Sequence, residues 1–205
     1  MYINWYGQTC FKITVQKRKD GQVIILTDPF GKEIGLRSPR IEADVLLLST
    51  DLSKGVAREK AFLIEGPGEY EIKDVYIEGI PVSGGKGTIY TIEGEEIKVC
   101  YLGALKQTEL SSKQLERIGN VDILMVPIGG ENTLDAKGAI KIMSQIEPKI
   151  TIPMYYKIPG LKVKLEGLDK FLGVLGIKKL EPLPKLSIKK KAIPQDEAKI
   201  VVLSP

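Results

Sequence analysis

Histidine is absent from this chain of 205 residues, and the absence excludes more chemistry than any residue present suggests. Imidazole is the commonest metal ligand and the only side chain that titrates near neutrality unperturbed. Without it, histidine-held zinc, histidine base catalysis and a Ser-His-Asp arrangement are all excluded. Cysteine is nearly as scarce: Cys10 and Cys100 are too few for a disulfide framework and lack the spacing of a zinc cluster, so both read as reduced core thiols. No apolar run approaches the roughly 18 residues that span a bilayer. Met1 to Lys12 carries neither a basic start followed by an apolar stretch nor a small-residue cleavage site, so no secretory signal is readable. A cytoplasmic location, away from membranes, is the expectation.

What is present describes an ordinary globular protein, with 43% hydrophobic and 27% charged residues. At about 150 residues per domain, the length predicts a single domain over residues 1–205. Charge is unevenly placed: residues 1–147 carry 18 basic and 21 acidic side chains, and residues 148–205 carry 12 and 5. The C-terminal quarter reads as a basic, extended tail. All twelve of its cations are lysines, with no arginine for bidentate phosphate contact and only Tyr155, Tyr156 and Phe171 as aromatics. A solvated lysine face is predicted, and nucleic acid is not an expected partner.

Runs rich in Val, Ile, Thr and Tyr at 10–16, 23–27, 45–49, 62–65, 75–82, 88–92 and 96–102 read as strands. Asp20-Gly21, Pro67-Gly68, Gly84-Gly85 and Glu93-Gly94 supply turn chemistry between them, which predicts a mostly antiparallel meander. Past Gly103 the period changes. Ser111 and Gln114 have capping-box spacing, Leu115 and Ile118 follow at helical offset, and Gly119 stops the turn. Ile123 to Val126 reads as a strand, and Ala136, Ala139, Ile140, Met143 and Ile146 as a helix ended by Pro148. A strand at 150–153, a helix at 168–175 and extended pieces at 186–188 and 198–203 complete the pattern.

Few constellations carry chemistry. Ser83-Gly84-Gly85-Lys86-Gly87-Thr88 resembles a phosphate loop, but Gly follows the Lys and a strand comes next, so a tight hairpin is predicted. Ser49, Ser53 and Ser83 have no histidine as base, and a Ser53–Lys54 pair stays open. Asp28 and Asp51 each follow a strand. Such residues form turns, and in a cleft they could ligate or orient; together they could hold magnesium, although that ion wants more oxygen ligands than the sequence names.

The order of these pieces resembles the metallo-β-lactamase superfamily, in the branch of ascorbate-phosphate lactonase-like proteins. The resemblance covers nearly the whole chain and is carried by WYGQTCFKI (5–13), ILTDPF (25–30), ADVLLLST (43–50), GPGEYEIKDVYIEGI (66–80), VDILMVPIGG (121–130) and the stretch 133–157 ending MYYK. It implies an α+β fold, a four-layer αββα sandwich with a dinuclear metal site at its mouth, and hydrolysis of lactones, amides or phosphoesters. The resemblance also locates what is missing. The GHSCF-like histidine falls on Gln8, and the HxHxDH positions on Thr50, Leu52, Lys54 and Gly55. In the CHLGDLGH-like pattern the ligand histidine falls on Tyr101, the bridging Asp on Ala104 and the later histidine on Gln107. The MHYK-like histidine falls on Tyr155, and a loop that often carries another His and Asp is shortened to Ser83-Gly84-Gly85.

The expectation is therefore a degenerate member: a non-catalytic, zinc-free pseudoenzyme with no cofactor, acting in binding or assembly. Its pocket would be lined by Gln8, Asp28, Thr50, Asp51, Lys54, Tyr101, Gln107, Tyr155 and Lys157. Its partner would be an unknown protein or a small anion held by Lys54 and Lys157, with homo-oligomerisation open. The alternative is a hydrolase of lactones or phosphoesters whose mechanism is metal-free or magnesium-dependent, with Asp28, Asp51, Tyr101, Tyr155 and Lys157 in acid, base and anion-stabilising roles.

Overall fold

A computed structural model describes residues 1–17, 21–37, 39–50 and 60–205. The first strands are β1 (Tyr2–Trp5), β2 (Phe11–Gln16), β3 (Gln22–Thr27), β4 (Val45–Leu47) and β5 (Phe62–Ile64). They lie side by side in that order, with β12 (Leu186–Ser187) returning to pair beside β1. The second sheet contains β6 (Gly68–Ile72), β7 (Val75–Pro81), β8 (Thr88–Gly94), β9 (Ile97–Tyr101), β10 (Ile123–Pro127), β11 (Ile150–Met154) and β13 (Lys199–Ile200), in the order β13-β11-β10-β9-β8-β7-β6. The lysine-rich C-terminal segment is thus woven into both sheets rather than trailing from them.

Both sheets are mixed. β1 to β3 and β6 to β9 run antiparallel, as the turn signals predict, whereas β3-β4-β5 and β9-β10-β11-β13 are parallel. Parallel strands need covered faces, and β10 and β11 are accordingly buried along their whole length. Helix α2 (Ala136–Ile146) packs on β10 and against α1 (Ser112–Ile118) and α3 (Leu168–Val174). Its buried side chains Ala136, Ala139, Ile142 and Ile146 form one stripe at helical spacing. The capping box at Ser111 and Gln114 is present. On the first sheet, Cys10, Leu26, Phe30, Leu46 and Leu48 pack beneath Ile34, Leu36 and Ile41, so that face is covered by a short 3-10 turn (Lys32–Ile34) and its flanking loop. The main core spans both sheets around Trp5, Phe11, Ile25, Tyr90 and Tyr101.

Two turns differ from the sequence reading. The β8–β9 hairpin turns at Glu95 and Glu96, φ 54° and 62°, not at Glu93-Gly94. Gly94 lies in β8 because a Cβ there would meet Val15 at 2.5 Å, so its small size serves packing. Strand β6 was hidden by the Pro67-Gly68 turn signal and by Glu69 and Glu71. It is an edge strand, where exposed charge limits stray pairing, and it joins β7 through Lys73 and Asp74, φ 51° and 67°.

Candidate functional site

The register Thr27↔Leu47 between parallel β3 and β4 brings the residues after both strands together at one end of the sandwich. Asp28 follows β3 directly, and its N–H bonds to the Leu47 carbonyl at 2.9 Å. Ser49 follows β4 by two residues; its N–H donates to Asp28 Oδ1 at 2.7 Å and its hydroxyl donates to Asp28 Oδ2. From the other sheet, Tyr101 at the end of β9 sends its phenol to the same Oδ2 and to the Thr9 carbonyl at 2.8 Å. One phenolic hydrogen serves one acceptor at a time, so a proton on Asp28 satisfies the remaining contact.

Asp28 is 5% exposed and Tyr101 fully buried. Burial pushes the Asp28 carboxyl above the usual carboxylate range, and the hydrogen bonds from Ser49 and Tyr101 offset part of that rise. Burial first, and the neighbouring Asp28 second, hold the Tyr101 phenol well above its ordinary value. The cluster is therefore a buried acid, and Ser49 is its member that lines the neighbouring cavity.

Ser49 is a buried lining residue of a cavity of about 1080 Å³, at the upper end of typical small-molecule sites. Its walls are the Ser83–Thr88 turn, Leu102, the 104–109 loop, Asn132 and Tyr155. Gln107 holds the turn in place: it accepts from the Ser83 N–H at 2.9 Å and donates to Gln114 Oε1 at 2.7 Å, while Gln114 donates to the Pro81 carbonyl at 2.9 Å. The Tyr155 hydroxyl makes no hydrogen bond among the described residues, and burial raises its pKa, so it stays a proton donor. Three non-glycine residues at this end, Gln8, Asp28 and Tyr155, have φ of 51°, 33° and 55°, in the sparsely populated left-handed region. The Gln8 carbonyl ties two elements together, accepting from Trp5 Nε1 at 2.9 Å and from the Tyr155 N–H at 3.1 Å.

The residues expected to line a pocket are thus divided. Thr50, Gln107 and Tyr155 do so; Asp28 and Tyr101 form the floor beneath Ser49. Gln8 is buried, its side-chain nitrogen without a hydrogen-bond partner among the described residues, and is not a wall of the cavity. Lys157 is exposed and also absent from the walls, which removes it as the expected anion holder there. Asp51, Ser53 and Lys54 lie outside the described residues. Sequence reasoning passed over Ser49 by demanding a histidine; the signal available was a Ser and an Asp each placed just past an apolar strand.

The donor set does not fit the dinuclear zinc site that the resemblance implies. Tyr101 occupies the ligand position as a buried aromatic ring, and the Asp28 oxygens accept three protein hydrogens between them, which uses most of a carboxylate's acceptor capacity. Among the described residues no three His, Cys, Asp or Glu side chains gather into a metal-binding group. The same engagement counts against Asp28 as a magnesium ligand. Both thiols are buried, Cys100 with its pKa pushed up to about 12 by burial. No helix among the described residues is long and apolar enough to cross a membrane.

Residues 2–155 match the β-lactamase superfamily domain. A UPF0173 protein of Pyrococcus furiosus is 42% identical over 67 residues, which is 33% of this chain and 30% of that protein. A UPF0173 metal-dependent hydrolase of Pyrococcus abyssi is 27% identical over 206 residues, covering 91% of this chain and 80% of its own. A crystal structure from Thermotoga maritima, provisionally described as a Zn-dependent hydrolase of the metallo-β-lactamase superfamily, superposes with a TM-score of 0.80 at 33% identity, covering 98% of this chain and 97% of that one. These relatives correct the expectation of a non-catalytic pseudoenzyme for binding or assembly: similarity along most of the chain is to proteins described as hydrolases. Losing the imidazoles argues against one way of activating water, not against hydrolysis.

Proposed function

Since this chain belongs to the β-lactamase superfamily, we propose that it is a hydrolase of carboxylic esters and lactones that works without a zinc pair, through Ser49. The observation that carries this reading is the hydroxyl of Ser49, a cavity-lining residue, held on a buried carboxyl. Asp28 is buried and does not line the cavity, whereas Ser49 does, so the basicity of Asp28 reaches a substrate through Ser49. As Ser49 Oγ bonds to the carbonyl carbon, its hydrogen passes to Asp28 Oδ2 and negative charge develops on the carbonyl oxygen. Tyr155, a donor on the same cavity wall, stabilises that charge. The C–O bond to the leaving group then breaks and the departing oxygen takes a proton from water; the hydroxide so formed adds to the carbonyl carbon of the Ser49 ester, and as the acid leaves, Ser49 Oγ recovers its hydrogen from Asp28. The role needs the ionised form of Asp28, and because burial resists that ionisation, turnover rises with pH.

The test is hydrolysis of 4-nitrophenyl butyrate and γ-butyrolactone in the presence of a chelator, comparing the natural protein with Ser49→Ala. A loss of about 100-fold or more in kcat/KM is expected, and turnover that survives the substitution overturns the assignment. Bis(4-nitrophenyl) phosphate assayed in parallel tests the phosphoester class.

A further inference from the structure

The cavity has a polarity gradient that hydrolysis alone does not require. Its buried lining residues include Ser49, Leu102 and Leu105, which are 3%, 1% and 3% exposed. Val82, Leu102 and Leu105 give it apolar walls, and the exposed Lys86 and Lys106 stand among its lining residues. Lys86 makes no hydrogen bond or ion pair among the described residues. Lys106 Nζ is 3.4 Å from Asn132 Oδ1, a neutral acceptor. The acidic residue of the described lining, Glu109, is already paired with Lys141 at 2.6 Å. Among the described residues, Lys86 and Lys106 thus have no acidic partner.

Resting on the hydrolase reading, we infer that the substrate is amphipathic: a scissile carbonyl at Ser49, an apolar spacer along Val82, Leu102 and Leu105, and a terminal carboxylate or phosphate held by Lys86 and Lys106. The burial gradient fixes the orientation, because an anion is cheapest to hold where water still reaches it and an apolar spacer gains where water is excluded. Ammonium groups act as point charges and accept either oxyanion. One exposed ion pair contributes little. Two cations facing the same anion at a partly enclosed mouth contribute more, and salt weakens both.

Two measurements test this. In the first, KM is compared for mono(4-nitrophenyl) glutarate and the uncharged 4-nitrophenyl butyrate. At low ionic strength the anionic ester is expected to have a KM about 10-fold lower, with the ratio falling towards one at about 0.5 M NaCl and in the Lys86→Met/Lys106→Met double variant. Equal KM values at low salt overturn the inference while leaving the hydrolase reading intact. The second needs no turnover: calorimetric titration with 4-phenylbutyrate, phenethyl phosphate and 4-phenyl-1-butanol. Both anions are expected to bind about 10-fold more tightly than the alcohol in a lysine-dependent way, and the tighter anion identifies the preferred headgroup. Equal binding, or none, overturns the anion site. Lysine-dependent anion binding with neither ester hydrolysed overturns the hydrolase reading and leaves the anion site standing.

Discussion

A carboxyl group that is fully buried must be paired with a cation or keep its proton, and Asp28 faces two hydroxyls and an amide N–H rather than a cation. Its burial-raised pKa gives stability and activity opposite responses to pH. A carboxyl whose folded pKa lies above the unfolded value of about 3.9 contributes stability that is complete below that value. The contribution is lost as pH rises through the folded value, since ionisation is harder in the native state. Catalysis through Ser49 needs the ionised form, so rate rises over the same interval. Asp28→Asn removes the titration and the base together. Relative to that variant, the natural protein is expected to lose melting temperature progressively as pH rises above about 4, and the variant is expected to lose turnover at every pH. A melting-temperature difference that does not change with pH overturns the account of the buried acid.

At the scale of elements, the site depends on how closely the segment after β9 approaches the one after β4. Gly103 has φ of 56°, and a Cβ there would lie 2.1 Å from Ser49 Oγ and 2.4 Å from Ser49 Cβ. Ser49 cannot swing aside without leaving Asp28. Gly84, at φ 66° in the cavity rim, has open space around its absent Cβ and serves as the control. Gly84→Ala is expected to cost about 1 kcal/mol for the backbone conformation alone, and Gly103→Ala about 2–4 kcal/mol together with most of the turnover, measured by urea unfolding and ester hydrolysis. Equal costs at the two positions would mean that the close approach matters little. Much of this architecture was legible locally. The strand runs, the capping box at Ser111 and the position of α2 follow from periodicity and short-range chemistry, although α2 buries Ile142 and leaves Ile140 and Met143 half-buried. The alignment that placed Tyr101 and Tyr155 at former ligand positions also found two residues of this end of the sandwich, one as floor and the other as wall. Ser49 was not legible, because its role comes from the parallel register Thr27↔Leu47 between segments about 20 residues apart in sequence. Lys86 and Lys106 were missed for the same reason: the β7–β8 turn and the loop after β9 meet only in the folded sandwich.

Across the whole molecule, side chains and backbone join the two sheets at the cavity end. Here Tyr101 reaches from the second sheet to Asp28 and Thr9 of the first, and the Gln8 carbonyl receives Tyr155. The lysine-rich C-terminal segment adds further ties: Lys190 pairs with Asp122 at 2.9 Å, and Lys185 lies 5.4 Å from the centre of the Tyr2 ring. The segment's lysines thus serve partly as structural contacts. If the join between the sheets is made by side chains, stability should not respond to metal. An ion bound by the native state alone, present at 100 times its dissociation constant, would add about 2.7 kcal/mol. For a protein of this size that is a shift of roughly 5–11 °C in melting temperature. The expected result is that chelator-treated and zinc-supplemented protein melt within about 1 °C of each other and hydrolyse 4-nitrophenyl butyrate at the same rate. A zinc-dependent rise of about 5 °C or more would show that donors outside the Asp28–Ser49–Tyr101 cluster hold an ion, and the serine mechanism would yield to a metal-dependent one like that named for the relatives.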